Sequence, residues 1–285
     1  MSLEHHQIEL EGIRLHIVED GPTEGQAILF LHGFPEFWYS WRHQLSFFAD
    51  AGYRVIAPDQ RGYNLSDKPR GIGAYRIDTL AGDTVALLDA LGIQQAFLVG
   101  HDWGGSVAWW AAATAPERFP RLAILNVPHP LVMRRFLKSD KTQRRRSWYI
   151  FFFQLPWLPE FWYRRRNFEI GVRSLRGTAR PGTFSDDDLK AYRQAWGQPG
   201  ALRAMIHWYR AALRRRPRPP GSMRISQPTL VLWGLRDRFL SQRMIAPSLE
   251  LCDNARLHEL PDASHWVQHE EPGEVNRALA EFLAV

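Results

Sequence analysis

The sequence predicts an α/β protein, a doubly wound and mostly parallel sheet carrying a helical insertion. Short runs of Val, Ile, Leu and Phe recur along the chain, and segments with helical spacing lie between most of them. The alternation stops near residue 130 and resumes near 226. Runs that are apolar throughout and bounded by turn residues suit strands buried on both faces of a sheet. Strands alternating with helices wind right-handed into a parallel sheet.

In chain order the runs are "AILFLHG" (27–33), "YRVIAPD" (53–59), "AFLVGHD" (96–102), "LAILNVP" (122–128), "TLVLWG" (229–234) and "ARLHELP" (255–261). Between the second and third, "IDTLAGDTVALLDALG" puts Leu80, Val85, Leu88 and Leu91 near one helical face and ends at Gly92, a C-cap residue. The stretch after residue 130 is helical, aromatic and basic. It reads as a second unit, 131–222, set into a core made of 1–130 and 223–285, with no low-complexity linker and no internal repeat. Ligands of open α/β sheets bind beyond the carboxyl ends of the strands. An insertion leaving from the end of "LAILNVP" sits over that edge as a cap.

Composition narrows the class. A chain of 285 residues that is 45% hydrophobic buries a substantial core. The N-terminal "MSLEHHQIEL" has no apolar stretch with a small-residue cleavage site, so no signal peptide is expected. No run approaches the ~20 apolar residues of a membrane span. The one cysteine, Cys252, leaves no internal disulfide and reads as a small buried residue in a cytoplasmic setting. There is no H-E-x-x-H, no P-loop and no G-x-G-x-x-G after a strand, so neither a metal nor a nucleotide cofactor is expected.

The net charge of +6 conceals an asymmetry. Residues 131–222 hold 21 Lys and Arg against 6 Asp and Glu, a net of +15, and the remainder holds 15 against 24, a net of −9. Arginine triplets stand at 144–146, 164–166 and 214–216, the last running into "PRPPG". A solvated arginine-rich face accounts for the block better than nucleic acid, because no nucleic-acid motif accompanies it. An anionic surface stays open. The aromatic stretch "FFFQLPWLPEFWY" (151–163) between two triplets reads as the inner wall of an apolar tunnel rather than an interfacial helix, since two prolines interrupt it.

Polar residues collect where strands end: His32 and Gly33, Asp59, Asp102, Asn126, then Asp237 and His265 after the last two. Each alone is an ordinary turn residue. Turn propensity explains poorly why six ends should carry one at the same edge. "GHDWG" (100–104) adds the outline of a G-x-S-x-G nucleophile elbow, with a carboxylate where the serine should stand.

The order Asp102, Asp237, His265 is that of nucleophile, acid and histidine in the α/β-hydrolase fold. Around it, "HGFPEFWYSWR" (32–42), "PDQRGYNLSDKP" (58–69), "GHDWGG" (100–105), "WGLRDRF" (233–239) and "DASHWVQHEEP" (262–272) closely resemble segments of soluble epoxide hydrolases and, less closely, haloalkane dehalogenases. The resemblance spans essentially the whole chain. An aspartate, with a reference pKa of ~3.9, attacks an sp³ carbon without a base, whereas a serine must first lose a proton. The resemblance implies an alkyl ester on Asp102, hydrolysed by water that His265 activates with Asp237 behind it. It also implies an oxyanion hole from the backbone N–H groups of Phe34 and Trp103, a cis bond before Pro35, and His32, Gly33, Pro35 and Trp208 at the substrate.

Epoxide opening needs a proton donor, and the resemblance offers Tyr149 and Tyr209, with Tyr163 as a rival for the first role. A haloalkane dehalogenase is the alternative. Many of those place Asn where Phe34 stands, and some place an acid where Asn126 stands. Haloacid dehalogenases use Arg in place of Trp103. A non-catalytic receptor on the same fold is expected to lose a triad member, and none is lost. The expected partners are a small apolar epoxide and water, with no nucleic acid and no integral membrane association, and with a homodimer left open.

Overall fold

Alternation inside the apolar runs decides which way each strand faces. The structure, a computed structural model, describes residues 3–218 and 221–284; Met1, Ser2, and Pro219 and Pro220 of "PRPPG" lie outside the described residues. The six runs become β3 (Ala27–Leu31), β4 (Arg54–Pro58), β5 (Phe97–His101), β6 (Leu122–Leu125), β7 (Thr229–Gly234) and β8 (Ala255–Leu260). They are preceded by β1 (Glu4–Leu10) and β2 (Ile13–Asp20), which are not among the runs. The sheet order is β1-β2-β4-β3-β5-β6-β7-β8, antiparallel at β1·β2 and β2·β4 and parallel elsewhere.

Side chains of successive strand residues point to opposite faces. Leu29, Leu31, Leu98 and Ile124 face one way, onto α2 (Ile77–Ala90) and α3 (Trp103–Thr114). Ile28, Phe30, Val99 and Leu125 face the other, onto α1 (Arg42–Asp50) and α13 (Pro272–Leu283). Two expectations need correction. β8 is an edge strand with half of its residues exposed, because only β7 pairs with it. The buried face of α2 is Leu80, Ala81, Thr84, Leu87 and Leu88, while Val85 and Leu91 are half-buried at its margins. Gly92 follows with φ +68°, the left-handed C-terminal signature.

Among the described residues, seven helices lie between β6 and β7: α4 (Pro130–Ser139), α5 (Lys141–Arg146), α6 (Trp148–Phe152), α7 (Leu158–Arg164), α8 (Glu169–Thr178), α9 (Asp186–Gly197) and α10 (Ala201–Arg214). The prolines act as the sequence suggests. Pro156 lies in the turn between α6 and α7, and Pro159 sits in the first turn of α7, where no donor is lost. After β7 come α11 (Ile245–Leu249) and α12 (Val267–Glu270). Among the described residues, no helix is long and apolar enough to cross a membrane.

Register sets the site. Leu31 pairs with Gly100, His101 with Leu125, and Leu125 with Leu232, so the ends of β3, β5, β6 and β7 lie abreast. The residues that follow emerge at one edge.

Candidate active site

β5 ends at His101 and α3 begins at Trp103, so Asp102 alone makes the turn. Its φ is +50° and its ψ −119°, a conformation that costs a non-glycine residue about 1–3 kcal/mol. Glycines let the neighbouring chain close around it. A Cβ on Gly104 would fall 2.1 Å from the Leu31 carbonyl oxygen, and one on Gly33 would fall 2.5 Å from the Asp102 Cβ. The loop after β3 therefore meets the aspartate with backbone alone. The Phe34 N–H donates to Asp102 Oδ1 at 2.8 Å. The Trp103 N–H stands in the first turn of α3, where unpaired donors and the helix dipole favour negative charge. The Phe34–Pro35 bond is cis.

The loops after β7 and β8 supply the other half. His265 Nδ1 lies 2.7 Å from Asp237 Oδ2, and its Nε2 lies 3.5 Å from Asp102 Oδ2. Asp237 is fixed by the N–H groups of Phe239 and Leu240, which donate to Oδ1 at 2.7 and 2.9 Å, and by Asn126 Nδ2, which donates to Oδ2 at 2.8 Å. Asn126, at φ +46°, accepts the Gly234 N–H on its own Oδ1 at 2.9 Å. Burial opposes the Asp237 charge, but His265 and these donors outweigh it and hold the carboxyl below its usual range. Burial likewise opposes the His265 charge, yet the two flanking aspartates raise it to about 10. The flanking carboxyl groups thus favour the protonated form of the imidazole.

These groups open onto a cavity of about 480 Å³, within the range of small-molecule sites. Its wall is largely aromatic and includes Phe34, Phe153 and Phe239, with Pro35 also on it. Tyr149 and Tyr209 line it too, their ring centroids 5.8 Å apart. Burial and then the Asp102 charge push both phenols well above the usual range. Tyr163 shares the wall, but burial alone raises it, with no contribution from Asp102. Tyr149 packs edge-on against Phe239, which packs in turn on His265, whereas Tyr163 packs against Phe34 and Phe153.

Two expected substrate contacts lie elsewhere. His32 is fully buried, its Nδ1 3.0 Å from the Gly33 carbonyl oxygen and its Nε2 accepting the Gln60 N–H at 3.1 Å. Burial lowers its pKa, in keeping with an accepting nitrogen. Trp208 gives its indole N–H to the Arg61 carbonyl oxygen at 3.0 Å and packs edge-on against Trp103 and Tyr63. Both brace the wall from behind. Asp59 is also structural, accepting from the Trp38 N–H at 3.1 Å and from Asn64 at 2.8 Å.

A buried cluster escaped the sequence. Glu36, 1% exposed, receives Tyr192 from α9 at 3.0 Å and pairs with His269 at 2.7 Å and His101 at 3.0 Å. Burial would raise its carboxyl, but His269 and His101 hold it well below the usual range. His101 Nε2 lies 2.8 Å from the His265 carbonyl oxygen, and Trp196 donates to the Pro35 carbonyl oxygen at 2.5 Å. "HGFPE" and "GHD" contain two of these residues, but their partners lie 65 to 233 positions apart. Among the described residues, no group of His, Cys, Asp and Glu is placed to hold a metal ion.

A family model described as "alpha/beta hydrolase fold" matches residues 26–272. The chain is 44% identical to the AB hydrolase superfamily protein YfhM of Bacillus subtilis, over 97% of this chain and 96% of that one. It is 39% identical to Epoxide hydrolase 4 of Homo sapiens, over 97% and 77%. A mutant of an epoxide hydrolase from Bacillus megaterium, complexed with its product (R)-3-[1]naphthyloxy-propane-1,2-diol, superposes with a TM-score of 0.88 at 34% identity, over 98% of this chain and 99% of that one. With sheet order, elbow and relatives in agreement over nearly its full length, the chain belongs to the α/β hydrolase fold family and, within it, to the epoxide hydrolases.

Proposed function

We propose that this chain opens an apolar epoxide to a vicinal diol through an alkyl ester on Asp102, with the helical insertion acting as the cap over the site. One observation carries the reading: a carboxylate, a histidine with its own aspartate, and two phenols line one aromatic cavity. Asp102 Oδ2 attacks an epoxide carbon, the ring C–O bond breaks, and the alkoxide takes a proton from Tyr149 or Tyr209. The phenolate recovers its proton from the His265 imidazolium, leaving a neutral base. Esterification removes the Asp102 charge that helped to raise His265, which makes that release easier.

His265 then takes a proton from water, and the hydroxide attacks Cγ of Asp102. Charge develops on Oδ1, where the Phe34 and Trp103 amides receive it. Collapse expels the diol oxygen, which takes the proton of the newly added hydroxyl, and the carboxylate and imidazolium are restored. The aromatic wall suits substrates bearing an aryl or branched alkyl group.

A single turnover with enzyme in excess, run in ¹⁸O-water, tests the ester. The label is expected in the peptide bearing Asp102 and absent from the first diol. Label in the first diol with none in the peptide would mean direct attack by water. Tyr149→Phe and Tyr209→Phe are each expected to slow ester formation by about 10- to 10²-fold in stopped-flow tryptophan fluorescence. An unchanged rate in either variant removes that tyrosine from the mechanism.

A further inference from the structure

The aromatic residues at 148–163 line the cavity with some rings and turn others to solvent. Trp148, Phe151, Leu155, Trp157, Phe161 and Trp162 are all exposed, Trp157 at 78%. Trp157 also has φ +48° at the start of α7, a conformation rare for a bulky residue. Trp148 and Trp162 stand at the cavity mouth, and Arg165 lies over the rings of both Trp162 and Phe161 at 6.0 and 5.6 Å. Phe161 and Trp157 in turn wall a second groove of about 500 Å³ with Arg164, Arg203 and Arg214.

The charges beside the patch are one-sided. Glu160 in the groove is held by Arg210 at 2.6 Å, and Glu169 by Arg173 and Arg193, both at 2.9 Å. Arg164, Arg165, Arg166 and Arg203 are exposed and have no carboxylate partner among the described residues. Exposed Trp and Phe among unpaired guanidinium groups match the interface of a bilayer with anionic headgroups, where the rings enter the acyl boundary. A second copy would bring an equally basic face against this one, and like charges oppose that.

We propose that this face docks peripherally on an anionic lipid bilayer, setting the cavity mouth against the acyl boundary so that apolar epoxides pass from the membrane to Asp102. The docking stands on the surface alone; the delivery of epoxides rests on the reading of the site above. Flotation of the full chain with phosphatidylglycerol–phosphatidylcholine vesicles tests it, beside phosphatidylcholine alone and at rising salt. Binding is expected only with the anionic vesicles, falling as salt is raised. It is expected to weaken at least about tenfold in Trp157→Asp and in an Arg164→Gln, Arg165→Gln, Arg166→Gln variant.

Neither Trp157 nor Arg164, Arg165 or Arg166 lines the catalytic cavity, so hydrolysis of dissolved styrene oxide is expected to be unchanged in both variants and serves as their folding control. No flotation of the parent at low salt, or equal flotation of Trp157→Asp, overturns the proposal. So does a dimer in sedimentation velocity that Trp157→Asp dissociates, with no lipid binding by the parent. Flotation without epoxide hydrolysis supports the docking and removes only the delivery of epoxides.

Discussion

Replacing Asp102 with alanine is expected to lower kcat/KM for an aryl epoxide by on the order of 10⁴-fold or more, because the bond-forming atom itself is gone. The Phe34 and Trp103 amides and both tyrosines remain, but the carboxylate beside them is gone. The same position carries an opposite effect on stability. Alanine keeps a Cβ at φ +50°, whereas glycine relaxes it. Asp102→Gly is therefore expected to be as inactive as Asp102→Ala and more stable than it by about 1 kcal/mol in urea unfolding. Residual turnover within tenfold of the parent in either variant would place the nucleophile elsewhere.

His265→Gln separates the two halves of the reaction. Its side chain accepts no proton from water, so hydrolysis of the ester is expected to slow by on the order of 10² to 10⁴-fold while alkylation continues. Intact-protein mass spectrometry after incubation with styrene oxide is then expected to show one substrate mass added, mapped to the peptide bearing Asp102. Asp237 keeps its three other donors, from Asn126, Phe239 and Leu240, so the site does not collapse around an unpaired carboxylate. Steady diol formation at the parent's rate, with no adduct, would remove His265 from the role of base.

The inner strands β3 to β7 were legible because burial on both faces writes itself as an unbroken apolar run. β1 and β2 carry a period-two pattern instead, with Ile8 and Leu10 half-buried and Ile13, Leu15 and Ile17 inside. A search confined to unbroken runs passes over that signal. Asp102, Asp237 and His265 were legible because each follows a strand end and their order is diagnostic. Trp208 adjoins Tyr209, but successive helical residues point about 100° apart, and its indole N–H turns to the Arg61 carbonyl oxygen instead of the cavity. Asn126 was visible as a polar strand end. Its grip on Asp237 was not, because a contact across 111 positions leaves no mark in local spacing. The outward half of the aromatic stretch was hidden for a related reason: composition shows how many rings there are, not which side each takes.

The reach of α9 into the core, through Tyr192 to Glu36 and Trp196 to the Pro35 carbonyl, bears on how this scaffold is recombined. The loop it grips is the one whose amide holds Asp102. A foreign segment exchanged for 131–222 without those two side chains would leave a buried carboxylate short of one donor and the loop at Asp102 short of an anchor. The unit of exchange is thus discontinuous, and a chimera that keeps its chemistry carries residues 34–36 along with the helices.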